Sequence, residues 1–143
     1  MNADVFLSAS MSDRMWAEQV QRALVAAGWE VWWGGDRRIE LQADVKRELT
    51  SARCVVVLWS TRSVASSRVE QEASSGQRRG VLVQASLDGV SPPPTFRSLA
   101  CSDLSQWRQH AEVTELRSTQ GFRTLSSAIA RVIPPEGLPD ATP

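Results

Sequence analysis

Short apolar runs alternate along this chain with stretches in which apolar residues return every third or fourth position, the signature of strands interleaved with amphipathic helices. Asp4-Val5-Phe6-Leu7-Ser8 is a first strand, running into the turn-like segment Ser8 to Asp13. Trp16, Val20, Ala23, Leu24 and Ala27 recur at helical spacing. They predict a helix over about Asp13 to Ala27, with Ser10 or Ser12 as amino-terminal cap and Gly28 placed to end it. Trp29 to Trp33 reads as a second strand, closed by Gly34-Gly35-Asp36, residues suited to a tight turn. A polar loop bearing arginines follows from Gly34 to Glu40. Val45, Leu49 and Ala52 then space a second helix.

The uninterrupted apolar run Cys54 to Trp59 predicts a third strand, buried on both faces. After Ser60 a helix is expected over Ser63 to Gln77, then a fourth strand over Gly80 to Leu87. Pro92-Pro93-Pro94 stiffens the next connection, and a weak fifth strand is expected around Leu99 to Cys101. Phe122, Leu125, Ile129 and Val132 mark a last amphipathic helix. Residues 134–143, rich in proline, read as a tail or the start of a linker, which leaves 1–133 as one domain.

Strands alternating with helices imply a parallel sheet, because each parallel connection must cross over the sheet. Five of them suit an α/β, flavodoxin-like architecture, strand order 2-1-3-4-5, with helices on both faces. In that order a crevice opens beyond the carboxyl ends of strands one and three, so Ser8 to Met11 should face Ser60. Glu72, on the helix after strand three, is within reach of it.

Composition narrows the possibilities. Lysine plus arginine equal aspartate plus glutamate at 16 each, which gives no electrostatic case for nucleic acid or an anionic membrane. No apolar run approaches the roughly 20 residues needed to cross a bilayer, and the amino terminus lacks the pattern of a signal peptide. Two cysteines, Cys54 and Cys101, make neither a disulfide framework nor a metal-ligand pattern, so a cytoplasmic chain without metal is expected. Ser8-Ala9-Ser10 and Leu58-Trp59-Ser60 stand where a phosphorelay receiver needs acidic residues. Dinucleotide and triphosphate glycine motifs are absent, and the single histidine, His110, has no nucleophile elbow to serve.

The ordered segments Asp4 to Ser8, Val31-Trp32-Trp33, Ala52 to Ser60 and Ser66 to Ala73, with Cys101 to Trp107 later, resemble a bacterial Toll/interleukin-1 receptor (TIR) domain over about Asp4 to Val132. That resemblance implies NAD+ as substrate and no bound cofactor. The family's catalytic glutamate lies in a serine-x-tryptophan-valine-x-x-glutamate pattern, which Ser66, Val69 and Glu72 match while Arg68 replaces the tryptophan. It thus implies Glu72 as catalytic, with Phe6, Ser8, Ala9, Ser10, Trp33, Gly34, Asp36, Arg37 and Arg68 around the substrate. Trp33 is expected to stack on substrate and Trp32 to pack against a helix; for Phe6, Asp36 and Arg37, core or solvent-facing roles are the alternatives. Ser8 to Ser12 has two readings, phosphate contact and helix capping.

The resemblance also implies self-association, as a homo-oligomer or filament, through the loop after strand two, with Arg37, Arg38 and Ile39 as contacts. The implied function is NAD+ glycohydrolysis to nicotinamide and ADP-ribose or a cyclic isomer, activated by assembly in bacterial antiviral defence, with a fused or separate sensor domain as a further partner. Two alternatives stand beside it: a non-catalytic TIR–TIR scaffold or host-mimicking effector, and a nucleoside-processing transferase on the same fold.

Overall fold

A computed structural model describes residues 4–33, 42–107 and 113–133. Gly34, Asp36, Arg37, Arg38, Ile39, His110 and the 134–143 tail lie outside the described residues. The strands are β1 (Val5–Ser8), β2 (Val31–Trp33), β3 (Cys54–Trp59), β4 (Leu82–Ser86) and β5 (Cys101–Asp103). They form one sheet in the order β2-β1-β3-β4-β5, with every adjacent pair parallel. The helices are α1 (Arg14–Ala26), α2 (Gln42–Ser51), α3 (Ser67–Arg79), α4 (Val113–Arg117) and α5 (Gln120–Val132).

The period-two alternation of β1 and β3 divides the core between the two sheet faces. Val5, Leu7, Cys54, Val56 and Leu58 join Ala17, Val20 and Leu24 of α1, Leu116 of α4, and Phe122, Leu125 and Ile129 of α5 in one buried cluster. On the opposite face Val57 and Trp59 pack with Val69 and Ala73 of α3 and with Phe96. Phe6 and Val55 pack there with Trp32 and with Val45 and Leu49 of α2. Every residue of β3 is buried, as a central parallel strand requires.

Three boundaries differ from the periodicity, two of them for a side-chain reason. A 3-10 turn over Met11–Asp13 precedes α1, and Ser10 caps that turn by accepting from Ser12 N. The helix after β3 does not begin at Ser63. Ser63 Oγ turns back to Leu58 O at 3.0 Å and to Ser60 N at 2.7 Å, tying a 3-10 turn over Ser63–Ala65. Ser66 then adopts an extended conformation and caps α3 by accepting from Val69 N. The fifth strand starts at Cys101 rather than before it. The short helix α4 carries no long periodic run and goes unannounced in the sequence.

One contact sets how α3 lies on the sheet. A Cβ at Gly76 would stand 2.8 Å from Val55 Cβ, so only glycine lets the helix approach β3 this closely. Glu72 sits one turn before Gly76 on the same helical face, and both are buried.

Candidate active site

β1 presents Phe6 and Ser8 to the face covered by α2 and α3, and Leu7 and Ala9 to the other. α3 brings Glu72 down onto the end of this strand. Ser8 Oγ donates to Glu72 Oε1 at 2.6 Å, with Ser8 1% and Glu72 5% exposed. Arg68, one helical turn earlier, donates from Nη1 to the same oxygen at 3.1 Å and from Nη2 to Ala9 O at 2.8 Å. The guanidinium therefore bridges the carboxylate and the end of β1, while its side chain stays half exposed. Both bonds fall on Oε1; among the described residues Oε2 has no hydrogen-bonding partner.

Glu72 lines a cavity of about 140 Å³, together with Phe6, Trp32, Trp33, Met11, Val45 and Arg68. Trp32 lies over Phe6 with ring centroids 5.1 Å apart and planes 20° from parallel. Trp32 packs against α2 as expected, through Val45 and Leu49, but on the cavity side of the sheet rather than away from it. The register pairs Phe6 with Trp32 and Leu7 with Trp33, so Trp32 is the one that shares the Glu72 face. Trp33 touches the cavity yet belongs to the core cluster on the α1 side, and its indole N–H has no partner among the described residues.

The structure thus brings Phe6, Ser8, Ala9, Trp33, Arg68 and Glu72 together. Ser10 is spent on its cap and does not line the cavity. Sequence reasoning passed over Trp32 and Met11. Strict alternation from Phe6 through the β1–β2 register is the signal that finds Trp32; Met11 was placed at the crevice by the strand order but not named as a substrate contact.

Larger hollows lie elsewhere; besides one of about 450 Å³ along α3 at Glu70 and one of about 290 Å³ at Asp103, there are two more. One of about 490 Å³ runs between β4, β5 and α5 and holds no carboxylate. The other, about 430 Å³, lies beside Ser60 and holds Asp13 and Asp88, whose carboxylates are already engaged. Asp13 accepts from Ser60 Oγ at 2.5 Å and faces Arg62 at 4.0 Å. Asp88 accepts from Thr61 N and Oγ1 and from Val90 N. Burial alone would raise the Asp88 carboxyl, but those hydrogen bonds outweigh it and hold the group below its usual value. Ser60 and Asp13 close the α1 side of the crevice as structure, and Glu72 occupies the α3 side as a carboxylate whose Oε2 has no partner among the described residues. Among the described residues no group of three His, Cys, Asp or Glu is placed to hold a metal, and no helix is long and apolar enough to cross a membrane.

A five-stranded parallel sheet in this order, with a carboxylate from the helix after β3 at the end of β1, defines a class of α/β domain whose site lies at the strand-order reversal. The family model described as "TIR domain" matches residues 5–118, and the chain belongs to that family. Among solved structures it is similar to a metazoan TIR-STING receptor from C. gigas, solved with 2',3'-cGAMP, at 19% identity and a TM-score of 0.67. That match covers 93% of this chain and 40% of the receptor, so the chain spans about two fifths of the receptor's length. It is also similar to the TIR domains of the activated Roq1 resistosome recognising the pathogen effector XopQ, at 16% identity and a TM-score of 0.54. There the match covers 92% of this chain and 83% of the other. No curated protein matches.

Proposed function

We propose that the chain is an NAD+ glycohydrolase that cleaves the bond between nicotinamide and ribose. The observation that carries this reading is the buried Glu72 carboxylate, held through Oε1 by Ser8 and facing a cavity walled by Phe6 and Trp32. Nicotinamide leaves as a neutral molecule because its ring nitrogen is already cationic in NAD+, so departure needs no general acid. What forms is an oxocarbenium-like ribose. A fixed carboxylate in a site largely shielded from water stabilises that charge more strongly than water does. One carboxylate therefore suffices, in contrast to the pair that ordinary glycosidases use.

Capture of the ribosyl cation by water gives ADP-ribose, and capture by the substrate's own adenine or ribose hydroxyl gives a cyclic isomer. At about 140 Å³ the cavity falls below the ~300 Å³ at which pockets for drug-sized ligands begin. It has room for the nicotinamide ring beside Glu72, and the ribose and the rest of the dinucleotide extend from its mouth. Self-association through the loop carrying Arg37, Arg38 and Ile39 would supply further walls, and an antiviral role in the cytoplasm with a sensor partner follows the same reading.

A scaffold role is the second reading, favoured by the Arg68–Glu72 ion pair, which neutralises the carboxylate in the free protein. Nicotinamide release from NAD+ by concentrated protein separates the two. Release that falls on the order of 10²-fold in Glu72→Gln supports the enzyme; no release at any concentration leaves the scaffold.

A further inference from the structure

The same contact that favours a scaffold poses a problem for the enzyme, and its solution names a feature of the substrate. Resting on the NAD+ reading, we infer that Arg68 is a specificity-determining residue for a diphosphate-bearing substrate, exchanging Glu72 for the diphosphate as substrate binds.

The argument starts from charge. A carboxylate stabilises a developing cation only as far as its own charge is uncompensated, and at rest a guanidinium stands 3.1 Å from Glu72 Oε1. While that pair is intact, Arg68 opposes the positive charge that Glu72 is asked to stabilise. Exposure then shows which partner can move. The Arg68 side chain is 50% exposed and that of Glu72 is 7%, so the guanidinium reaches solvent at the cavity rim while the carboxylate stays inside.

Connectivity places the competitor. With the nicotinamide ring in a cavity walled by Phe6 and Trp32 and its ribose at Glu72, the ribose 5' oxygen leads outward, and the diphosphate it bears emerges at the rim where Arg68 stands. A diphosphate offers two negative charges and several acceptor oxygens to a planar fork of donors, against one oxygen from Glu72. Ser8 lies on the strand side of the carboxylate and keeps its 2.6 Å bond when Arg68 leaves, so Glu72 stays oriented as its charge is released. Ala9 O, the other partner of Arg68, is left uncovered where the guanidinium stood. Glu70, the nearest other carboxylate on α3, is exposed and lies on a different helical face.

The test is binding, which does not depend on cleavage. ADP-ribose retains the diphosphate and lacks the labile bond; nicotinamide riboside has the labile bond and no phosphate. Titration calorimetry of each against the wild-type chain, Arg68→Ala and Arg68→Lys should show ADP-ribose weakened at least tenfold by Arg68→Ala. Arg68→Lys should show a smaller loss, and nicotinamide riboside should bind Arg68→Ala unchanged or tighter. In the wild type, ADP-ribose should shift the Arg68 Nε–H resonance, assigned by its absence from Arg68→Lys, and nicotinamide riboside should not. Unaltered ADP-ribose affinity in Arg68→Ala, equal weakening of both ligands, or no binding by the wild type overturns the inference. Arg68→Lys carries the comparison if Arg68→Ala fails to fold. Arg68-dependent ADP-ribose binding without any NAD+ cleavage would sink the catalytic reading alone.

Discussion

Ser8 Oγ and Glu72 Oε1 lie 2.6 Å apart although 64 positions separate them in the chain, and this single bond joins the end of β1 to the middle of α3. A hydroxyl donating to a buried carboxylate both orients it and replaces part of its lost hydration. Ser8→Ala should therefore lower stability by about 1.5–3 kcal/mol, the range for hydrogen bonds to charged groups, read in urea unfolding. Nicotinamide release should fall with it, and unchanged release would show that Ser8 does not orient the carboxylate.

Gly76 controls the same geometry from the packing side. A Cβ there meets Val55 Cβ at 2.8 Å, so Gly76→Ala pushes α3 off β3. Overpacking of this kind costs about 1–3 kcal/mol. Because Glu72 is one turn away, the variant should also lose NAD+ cleavage after the melt is corrected for. A melt within error of the wild type would mean that α3 has room to give.

Gln84 braces the β4 part of the sheet on the α3 face. Its Oε1 accepts from Trp59 Nε1 at 2.8 Å and its Nε2 donates to Phe96 O at 3.2 Å, both in the buried interior. Gln84→Ala leaves the indole donor unpaired, at a cost of about 1–3 kcal/mol before the cavity is added. Thermal unfolding should show the loss, and NAD+ cleavage by the folded fraction should be unaffected, since Gln84 does not touch the Glu72 cavity.

Asp88 predicts a dependence on acid. Its folded-state carboxyl is held below its usual value of 3.8, so its contribution is present in full above that value and is lost as pH falls through the lower folded value. Asp88→Asn should be less stable than the wild type at neutral pH. The gap should close as pH drops below 3.8, measured by denaturant unfolding at each pH.

Both thiols should be inert in the folded protein. Burial pushes Cys54 up to about 12, with Arg79 opposing it, and burial helped by the Asp103 charge pushes Cys101 up to about 11. Alkylation at neutral pH should therefore be slow until denaturant is added. Rapid native labelling, located by mass spectrometry, would show that the cysteine concerned is more open than its packing implies.

Much of this was legible from residue order. Cys54 to Trp59 could only be a strand buried on both faces, and Phe122, Leu125 and Ile129 could only face a core from one side of a helix. The start of α3 was not legible, because Ser63 and Ser66 are both good caps and only the turn back to Leu58 O commits Ser63 elsewhere. Arg68 was legible as a departure from the tryptophan of the family pattern, but not as a clamp on Glu72 and Ala9.

Alternation and helical period, acting between neighbours in the chain, determined the strands and the longer helices and suited the sheet order, while the resemblance to TIR domains singled out Glu72 as the carboxylate. Tertiary structure decided which oxygen of Glu72 is held, that Trp32 joins Phe6 on its face, and that Arg68 bridges to β1. Those contacts depend on strand register and on how closely α3 settles over Gly76, and both are set by packing between segments far apart in the chain.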